Sequence, residues 1–284
     1  MQLVSWNIQW ARGVDGVVDP ARIVADARRL GDFDVLCLQE VAAGFPRLPG
    51  SRGENQFERF AALLPGYHAA WAAGVDVLGE DGRRHLFGNM ILSRHPILRV
   101  MRHQLPWPAE AEVRSMPRVL LDAVIDAPSG PLHVMNTHLE YYSARQRALQ
   151  VEAIRRAYAD NCLRAGIRGG VVDPPESTYH TLAQPTRTIL TGDFNFRPDD
   201  PLHARVQEGF GEPGVPPLAD AWRHLNGDRP HPQNVGVYDR EQWPQAFTCD
   251  FIFVSTDLLE QVRDFRVDGQ TRSSDHQPQL LVLT

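Results

Sequence analysis

The sequence predicts an α/β protein in which two β-sheets pack face to face and helices cover their outer surfaces. Three observations support this prediction: short β-type runs recur along the chain, only a few helices are dispersed among them, and 43% of the 284 residues are hydrophobic. A chain of this length and composition can bury a large core within a single domain. Sandwiches of this size commonly form one domain. We therefore expect a single domain over residues 1–284.

Runs of apolar residues bounded by turn signals define the expected strands. The run at 3–6 comes first, and the run at 33–39 is expected to deliver Glu40 at its end. The remaining strands are expected at 87–93, 118–125, 132–136, 188–190, 251–255 and 279–283. The segments 166–187 and 211–245 are rich in proline and glycine and are expected to form long surface loops.

Capping residues define the expected helices. Asp19 and Pro20 suit the N-cap and first turn of a helix that ends at Leu30, and a second helix is expected over 55–64. Ser143 and Gln146 match a capping box for a helix that extends to about residue 165, and a further helix begins at 200–201. The arginines of the long helix are expected to form a solvated outer face; they are Arg145, Arg147, Arg155, Arg156 and Arg164.

The basic residues are unusual because all 29 of them are arginine. Without lysine there is no Schiff-base lysine and no phosphate-loop lysine, so aldolase-like and P-loop mechanisms are excluded. The net charge of −6 does not favour a protein that coats DNA generally. It is compatible with a nuclease whose contact surface is locally positive.

Cysteine usage and hydropathy indicate the cellular environment. Cys37, Cys162 and Cys249 are widely spaced and odd in number, so we expect buried free thiols rather than a disulfide framework or a zinc site. No run approaches the roughly 18 apolar residues of a membrane span, and no hydrophobic leader precedes the first strand. We expect a cytoplasmic protein without stable membrane insertion.

Two pairs of polar residues follow apolar runs at a spacing of two. Asn136 and His138 form one pair, and Asp193 and Asn195 form the other. Residues two apart in an extended chain project from the same face, so a pocket at the strand ends can collect both pairs. Each pair alone is more typical of strand-end turns and hydrogen bonds. Their joint occurrence favours a catalytic site.

Seven short motifs occur between residues 5 and 276. They are Ser5-Trp6-Asn7-Ile8, Leu38-Gln39-Glu40, Asn89-Met90-Ile91-Leu92-Ser93, Asn136-Thr137-His138-Leu139, Gly192-Asp193-Phe194-Asn195, Cys249-Asp250-Phe251-Ile252 and Ser274-Asp275-His276. In kind and order they resemble the endonuclease/exonuclease/phosphatase superfamily, whose members are similar to deoxyribonuclease I. The resemblance implies a four-layer α/β sandwich of two packed, mainly antiparallel sheets flanked by helices, with the site at one edge.

The resemblance also implies residue roles. Glu40 would be the principal metal ligand, with Asn7 and Asp275 beside it. Oxygen ligands select a hard cation, so Mg²⁺ or Mn²⁺ is implied. Asp193 would orient or deprotonate the attacking water, and Asn195 would hold that water or the phosphoryl group.

Two histidines complete the implied catalytic set. His276, paired with Asp250, would contact a non-bridging phosphate oxygen or transfer a proton, since a carboxylate supports the cationic imidazole. His138 would lie near the phosphate or the leaving oxygen, and Asn136 is expected to bind substrate. Arg118 is a candidate phosphate contact.

The leading hypothesis is a divalent-metal-dependent phosphoesterase that hydrolyses a phosphodiester P–O bond, with nucleic acid as one substrate class. The alternative is a lipid or small-molecule phosphodiesterase or phosphatase of the same fold. A non-catalytic binding protein on this fold is the alternative from another class. A nuclease would need an aromatic or basic track to the site, for which the candidates are Trp107, Trp222, Arg223 and Trp243.

Overall fold

Two mixed six-stranded sheets form the centre of the computed structural model, which describes residues 1–167, 173–174, 176–180 and 184–284. Strands are numbered along the chain. The first sheet has the spatial order β11 (Val262–Val267), β12 (Gln279–Leu283), β1 (Gln2–Asn7), β2 (Val35–Ala43), β4 (Arg84–Ser93) and β3 (His68–Leu78). The second has the order β5 (Ile97–Gln104), β6 (Val119–Ala127), β7 (Gly130–His138), β8 (Thr188–Asp193), β10 (Asp250–Ser255) and β9 (Leu218–Asp220).

Each sheet contains one parallel pair at its middle. In the first sheet β1 runs parallel to β2, and in the second β7 runs parallel to β8. The other neighbouring strands pair antiparallel. The predicted fold class of two mainly antiparallel sheets is therefore confirmed.

Helices cover the outer faces of both sheets and complete four layers. They are α1 (Pro20–Leu30), α2 (Gln56–Leu63), α3 (Ala144–Gly166) and α4 (Pro201–Gln207). A fifth helix, α5 (Ala221–Asn226), packs instead against β11 and the core between the sheets. Side chains alternate along each strand, so Leu3 enters the core between the sheets while Val4 packs in the core that includes residues of α1 and α2. A third core joins residues of α3 and α4 to the outer face of the second sheet.

The predicted helix starts are confirmed by their caps. The Asp19 side chain accepts hydrogen bonds from the amides of residues 21 and 22, and Ser143 Oγ accepts one from Gln146 N. The Gln146 side chain donates instead to Pro108 O, so only half of the capping box forms. Arg155 does not lie on a solvated face: it is buried, and its guanidinium donates to three backbone carbonyls at 205, 206 and 208.

Several elements were not predicted. The four additional strands are β3, β5, β9 and β11, and β9 and α5 lie within 211–245, which was expected to be a long loop. The other expected loop, 166–187, falls partly on 168–172, 175 and 181–183, outside the described residues. The strand before Glu40 does not end there, because β2 continues to Ala43 after an irregularity between Leu38 and Val41.

The expected buried free thiols are observed, because Cys37, Cys162 and Cys249 are all buried and form no disulfide. Within the described part of the chain, no helix is both long enough and apolar enough to cross a membrane.

Candidate active site

Polar side chains from both sheets meet where the parallel strand pairs end. Asn7 ends β1, Glu40 lies at the irregularity of β2, and His138 ends β7. Asp193 ends β8, opposite His138 on one side and Asp250 on the other. Because carboxyl ends of neighbouring parallel strands lie at the same edge, the fold brings these dispersed motifs together.

The segment before β12 is fastened to the same edge. Ser274 Oγ donates to Asn7 O at 2.8 Å. Asp26 of α1 accepts hydrogen bonds from Thr271 and Ser273, each at 2.5 Å, which anchors the residues immediately before Ser274. These contacts hold Asp275 and His276 against the ends of β1 and β8.

Asp193 is the centre of the cluster. Its Oδ2 accepts from Asn7 Nδ2 at 2.9 Å and lies 3.5 Å from His138 Nε2 and 3.8 Å from His276 Nε2. Its Oδ1 accepts from Cys249 Sγ at 3.3 Å. Burial opposes ionisation, but the two imidazoles and the Asn7 amide hold the pKa of Asp193 below its ordinary value. The carboxylate is therefore ionised at neutral pH.

The two histidines beside Asp193 differ in charge at neutral pH. Burial and the nearby Arg118 lower the pKa of His138 well below its ordinary value. Burial opposes charge on His276 as well, but Asp250 and Asp275 raise its pKa well above the ordinary value. Asp250 Oδ2 lies 2.9 Å from His276 Nδ1. The site thus contains one neutral and one cationic imidazole.

Glu40 is placed to hold a cation together with Asp275. Burial and the charge of Asp275 raise the pKa of Glu40 to about 7. A divalent cation between these two carboxylates would remove their repulsion, and carboxylate oxygens are the donors that hard cations prefer. The pair therefore fits Mg²⁺ or Mn²⁺.

Asn7 presents its amide nitrogen, not its oxygen, to the carboxylates of Glu40 and Asp193. Its Oδ1 accepts from Gln9 N at 3.1 Å, and its Nδ2 donates to Glu40 Oε1 at 3.1 Å and to Asp193 Oδ2. The expectation that Asn7 is a metal ligand does not fit this geometry. Its amide instead holds two carboxylates at a fixed separation.

Backbone strain is concentrated around the site. Among the described residues other than glycine, a positive φ occurs at 9–11, Glu40, Asn195 and Glu112, and all of these except Glu112 line the cavity or adjoin it. Each such conformation costs about 1–3 kcal/mol and persists where the surroundings enforce it. For Asn195 the enforcing contacts are its amide N–H to Asp193 Oδ1 and its Nδ2 to Leu139 O, both 2.9 Å.

Asn136 is not available to substrate, contrary to expectation. It is completely buried, its Oδ1 accepts from Gln39 Nε2 at 2.7 Å, and its Nδ2 donates to Leu38 O and Met90 O at 3.0 Å. These contacts join β7 of the second sheet to β2 and β4 of the first. Asn89 braces the same junction by donating to Val119 O at 2.9 Å.

Arg118 lies at the cavity, where it pairs with an acidic residue that the motifs did not identify. Its Nε donates to Glu140 Oε2 at 3.3 Å, and both side chains are buried. Its Nη1 is buried and has no hydrogen-bond partner among the residues that the structure describes. A buried, unpaired guanidinium nitrogen is costly unless a ligand oxygen satisfies it, which fits a phosphate contact.

A cavity of about 650 Å³ opens over these residues. Its walls include Glu40, His138, Asp193, Asn195, Asp275 and His276. The remaining walls are rich in aromatic and arginine residues, which are Trp10, Phe45, Phe87, Tyr141, Tyr142, Trp243, Arg47, Arg114 and Arg118. Of the proposed aromatic and basic track, Trp243 lines this cavity, whereas Trp107, Trp222 and Arg223 do not.

Sequence reasoning missed several residues that contact the site. Glu140 is one of them. Gln242, which was also missed, and Trp243, which was a candidate for the aromatic track, both donate to Asp275 Oδ2. Cys249 is another: burial and the charge of Asp193 raise its pKa well above the ordinary value, so the thiol remains a hydrogen-bond donor. Cys249 also lies with Asp193, Asp250 and His276 in a buried cluster that could hold a metal ion.

A second cluster of possible metal ligands lies away from this cavity. His203 Nε2 and His231 Nε2 lie 2.8 Å and 2.6 Å from Asp220 Oδ2. Gln207 accepts from Asp220 N and therefore presents its Nε2 to His203 Nδ1. The His203 proton is then on Nε2 and is donated to Asp220. The cluster therefore forms a hydrogen-bond network that connects α4 to the start of α5.

Known proteins share this architecture. Residues 4–276 match the model of the endonuclease/exonuclease/phosphatase family. An endonuclease/exonuclease/phosphatase from Beutenbergia cavernae has a TM-score of 0.70 and 25% identity over 100% of this chain and 71% of its own. A mannosyl-6-phosphatase from Bacteroides thetaiotaomicron has a TM-score of 0.63 and 18% identity, covering 100% of this chain and 99% of its own. The human nocturnin catalytic domain, solved with a bound sulfate anion, has a TM-score of 0.66 and 17% identity, covering 100% and 93%. No protein with a curated description matches this chain in sequence.

Proposed function

The chain belongs to the endonuclease/exonuclease/phosphatase family, whose members generally hydrolyse phosphoesters with divalent metals, and from this premise we propose that it is a Mg²⁺- or Mn²⁺-dependent phosphodiesterase. The observation that carries the proposal is the position of the buried Asp193 carboxylate, whose Oδ2 lies 3.5 Å from His138 Nε2 and 3.8 Å from His276 Nε2. Phosphoryl transfer needs such a set, because a water must be oriented while charge on the phosphoryl oxygens is offset.

Each residue in the set has a proposed part. Glu40 and Asp275 hold the divalent cation, which when bound offsets negative charge on the phosphoryl oxygens. Asp193 orients the attacking water and accepts its proton, and Asn195 holds the water or a phosphoryl oxygen. His276, kept cationic by Asp250, donates a hydrogen bond to a non-bridging oxygen.

The remaining two residues act on the substrate. His138, which is neutral at pH 7, lies beside the leaving oxygen and donates a hydrogen bond to it, and the proton that this oxygen gains on cleavage comes from water. Arg118, which lines the cavity, contacts a phosphate oxygen. The aromatic walls of the cavity favour a phosphodiester that carries an apolar organic group over inorganic phosphate or a fully polar ester.

A substrate panel tests this proposal. Wild type, His276→Ala and the exposed-residue control His224→Ala are incubated with Mg²⁺ or Mn²⁺ and seven substrates. The panel is bis(p-nitrophenyl) phosphate, p-nitrophenyl phosphate, single-stranded DNA, duplex DNA, RNA, sphingomyelin and mannose 6-phosphate. We expect turnover of at least one diester that falls roughly 10²–10⁴-fold in His276→Ala and is unchanged in His224→Ala.

The other outcomes rank the alternatives. Preference for a monoester would indicate a phosphatase, and preference for sphingomyelin a lipid phosphodiesterase. Absence of turnover together with absence of metal-dependent stabilisation would favour the non-catalytic binding protein, because a functional site stabilises the fold by binding its ion.

Metal-free Glu40 is expected to destabilise the protein at alkaline pH. Its pKa is raised from 4.5 to about 7, so between these values the folded state retains a proton that the unfolded state has released. Stability therefore falls as pH rises through this range, by on the order of 3 kcal/mol. In EDTA, Glu40→Gln should be more stable than wild type at pH 8 and nearly equal at pH 5.

Urea titration at both pH values, with and without Mg²⁺, measures this effect. Glu40→Gln should also lose the stabilisation by Mg²⁺, whereas the exposed control Glu80→Gln should behave as wild type. Equal stability of Glu40→Gln and wild type at pH 8 would show that the ionised Glu40 carboxylate does not destabilise the metal-free protein.

A further inference from the structure

A loop at 236–247 connects one cavity wall to Asp275. Trp243 Nε1 donates to Asp275 Oδ2 at 3.0 Å, and Gln242 Nε2 donates to the same oxygen at 3.2 Å. The loop is also fixed at its start, where Gly236 N donates to Asp275 O at 2.9 Å. Gln9 Nε2 donates to Gln242 Oε1 at 3.1 Å, which ties the loop to the strained turn after β1.

The Trp243 ring lies between two cavities. One is the cavity over the catalytic residues, and the other is a neighbouring cavity of about 590 Å³ whose walls include Arg197 and Phe247. Both cavities share Trp243 and Tyr141, whose ring centroids are 5.8 Å apart in an edge-to-face arrangement. A substrate group that extends from the catalytic cavity into the neighbouring cavity therefore passes the ring of Trp243.

We propose that Trp243 is a positioning residue for Asp275 and also the surface on which an aromatic substituent of the substrate packs. This inference rests on the proposed function and specifies its substrate class as phosphodiesters that carry a flat aromatic group, such as a nucleobase or an aryl ester. Aromatic side chains bind such groups through stacking and edge-to-face contact. Because one side chain makes both contacts, substrate binding and the orientation of a metal ligand are coupled.

The hydrogen bond has a direct effect on metal binding. Asp275 is buried and lies near the buried carboxylate of Glu40, so its charge needs a donor when no cation is present. The indole N–H fixes the position of Oδ2 and therefore the orientation of the whole carboxylate. The other oxygen, Oδ1, contacts Ser274 Oγ at 3.3 Å. Loss of a hydrogen-bonded partner behind a metal ligand typically reduces metal affinity roughly 10–100-fold.

The test separates the N–H from the ring. Trp243→Phe removes the donor and keeps an aromatic ring, and Trp243→Ala removes both. The matched control is Trp222→Phe, which also removes an indole donor, here to Arg229 O at 3.2 Å, on α5 against Phe265. Metal affinity is measured without substrate from the Mn²⁺ concentration that gives half of the maximal thermal stabilisation. KM and kcat for bis(p-nitrophenyl) phosphate and for a dialkyl phosphate are measured at saturating Mn²⁺.

The expected results differ between the two variants. Trp243→Phe should need roughly 10–100-fold more Mn²⁺ for half-maximal stabilisation, with KM for the aryl diester within about 2-fold of wild type. Trp243→Ala should show the same loss of metal affinity and, in addition, a roughly 10-fold higher KM for the aryl diester only, because a stacking contact is worth about 1–3 kcal/mol. Trp222→Phe should match wild type in all three measurements.

The outcomes that overturn the inference are distinct from failure of the proposed function. If wild type is stabilised by Mn²⁺ and Trp243→Phe has the same midpoint, Trp243 does not position Asp275. If Trp243→Ala raises KM equally for aryl and dialkyl diesters, the ring is not an aromatic-binding surface. If wild type shows neither Mn²⁺ stabilisation nor turnover, the proposed function itself fails and the inference with it.

Discussion

Asp193→Asn is expected to reduce turnover roughly 10²–10⁴-fold while leaving the fold intact. The substitution keeps the shape of the side chain and removes its charge, which is the property that a proton acceptor for water requires. Its neighbours hold the pKa of Asp193 low, so the wild-type group is available as a base throughout the neutral range. The measurement is kcat for the substrate found in the panel, at saturating Mg²⁺ and at several pH values.

Stability and a control variant distinguish catalysis from folding in this experiment. Because its neighbours hold the pKa of Asp193 below its ordinary value, the folded protein stabilises the ionised carboxylate, so Asp193→Asn should fold but unfold at a lower temperature than wild type. Asp126→Asn makes the same chemical change at an exposed position of β6 and should affect neither kcat nor stability. Near wild-type turnover in Asp193→Asn would remove Asp193 from the role of proton acceptor.

The strands and helices that sequence predicted are those with strong local signals. Helix α1 has its Asp19 cap, its Pro20 start and a regular apolar face, and β10 is an uninterrupted apolar run. The missed strand β3, His68–Leu78, is rich in alanine and glycine and half exposed, so it has little intrinsic β preference. It forms because it pairs along its length with the next strand, β4, in a hairpin, and this partner is not evident from the residues of β3 themselves. Arg155 was misassigned for a related reason, since its carbonyl partners lie about 50 residues away in α4.

The site residues also divide into those that local sequence signals predicted and those that they missed. The motifs predicted cavity-lining residues at strand ends, such as His138 and Asp193, because family resemblance marks them directly. Glu140, Gln242 and Trp243 have no motif and reach the site only through the folded geometry. Asn136 was assigned to substrate because it lies two residues from His138, yet it is turned toward the other sheet, where Gln39 and two carbonyls satisfy it. Spacing gives the face of a strand, but not which layer that face contacts.

Gly192, immediately before Asp193, is the position where a small substitution should have the largest effect on stability. Its φ is +141°, and a Cβ added there would lie 1.9 Å from Thr137 O of the paired strand β7. Alanine therefore brings backbone strain and a clash with a main-chain atom that belongs to the sheet, so Thr137 cannot move without disturbing the pairing of β7 with β8. We expect Gly192→Ala to lose about 3–5 kcal/mol of unfolding free energy.

Gly130 provides the matched comparison, because it shares the unfavourable backbone conformation without the clash. Its φ is +101°, and an added Cβ would meet only Arg187 Nη1 at 3.7 Å. Gly130→Ala should therefore lose about 1–2 kcal/mol, from strain alone, and keep full activity. Gly192→Ala should in addition displace Asp193 from His138, so its folded fraction should be less active per molecule even in stabilising buffer. Equal unfolding free energies for the two variants, measured by urea titration, would mean that the close approach of β8 to β7 does not constrain position 192 to glycine.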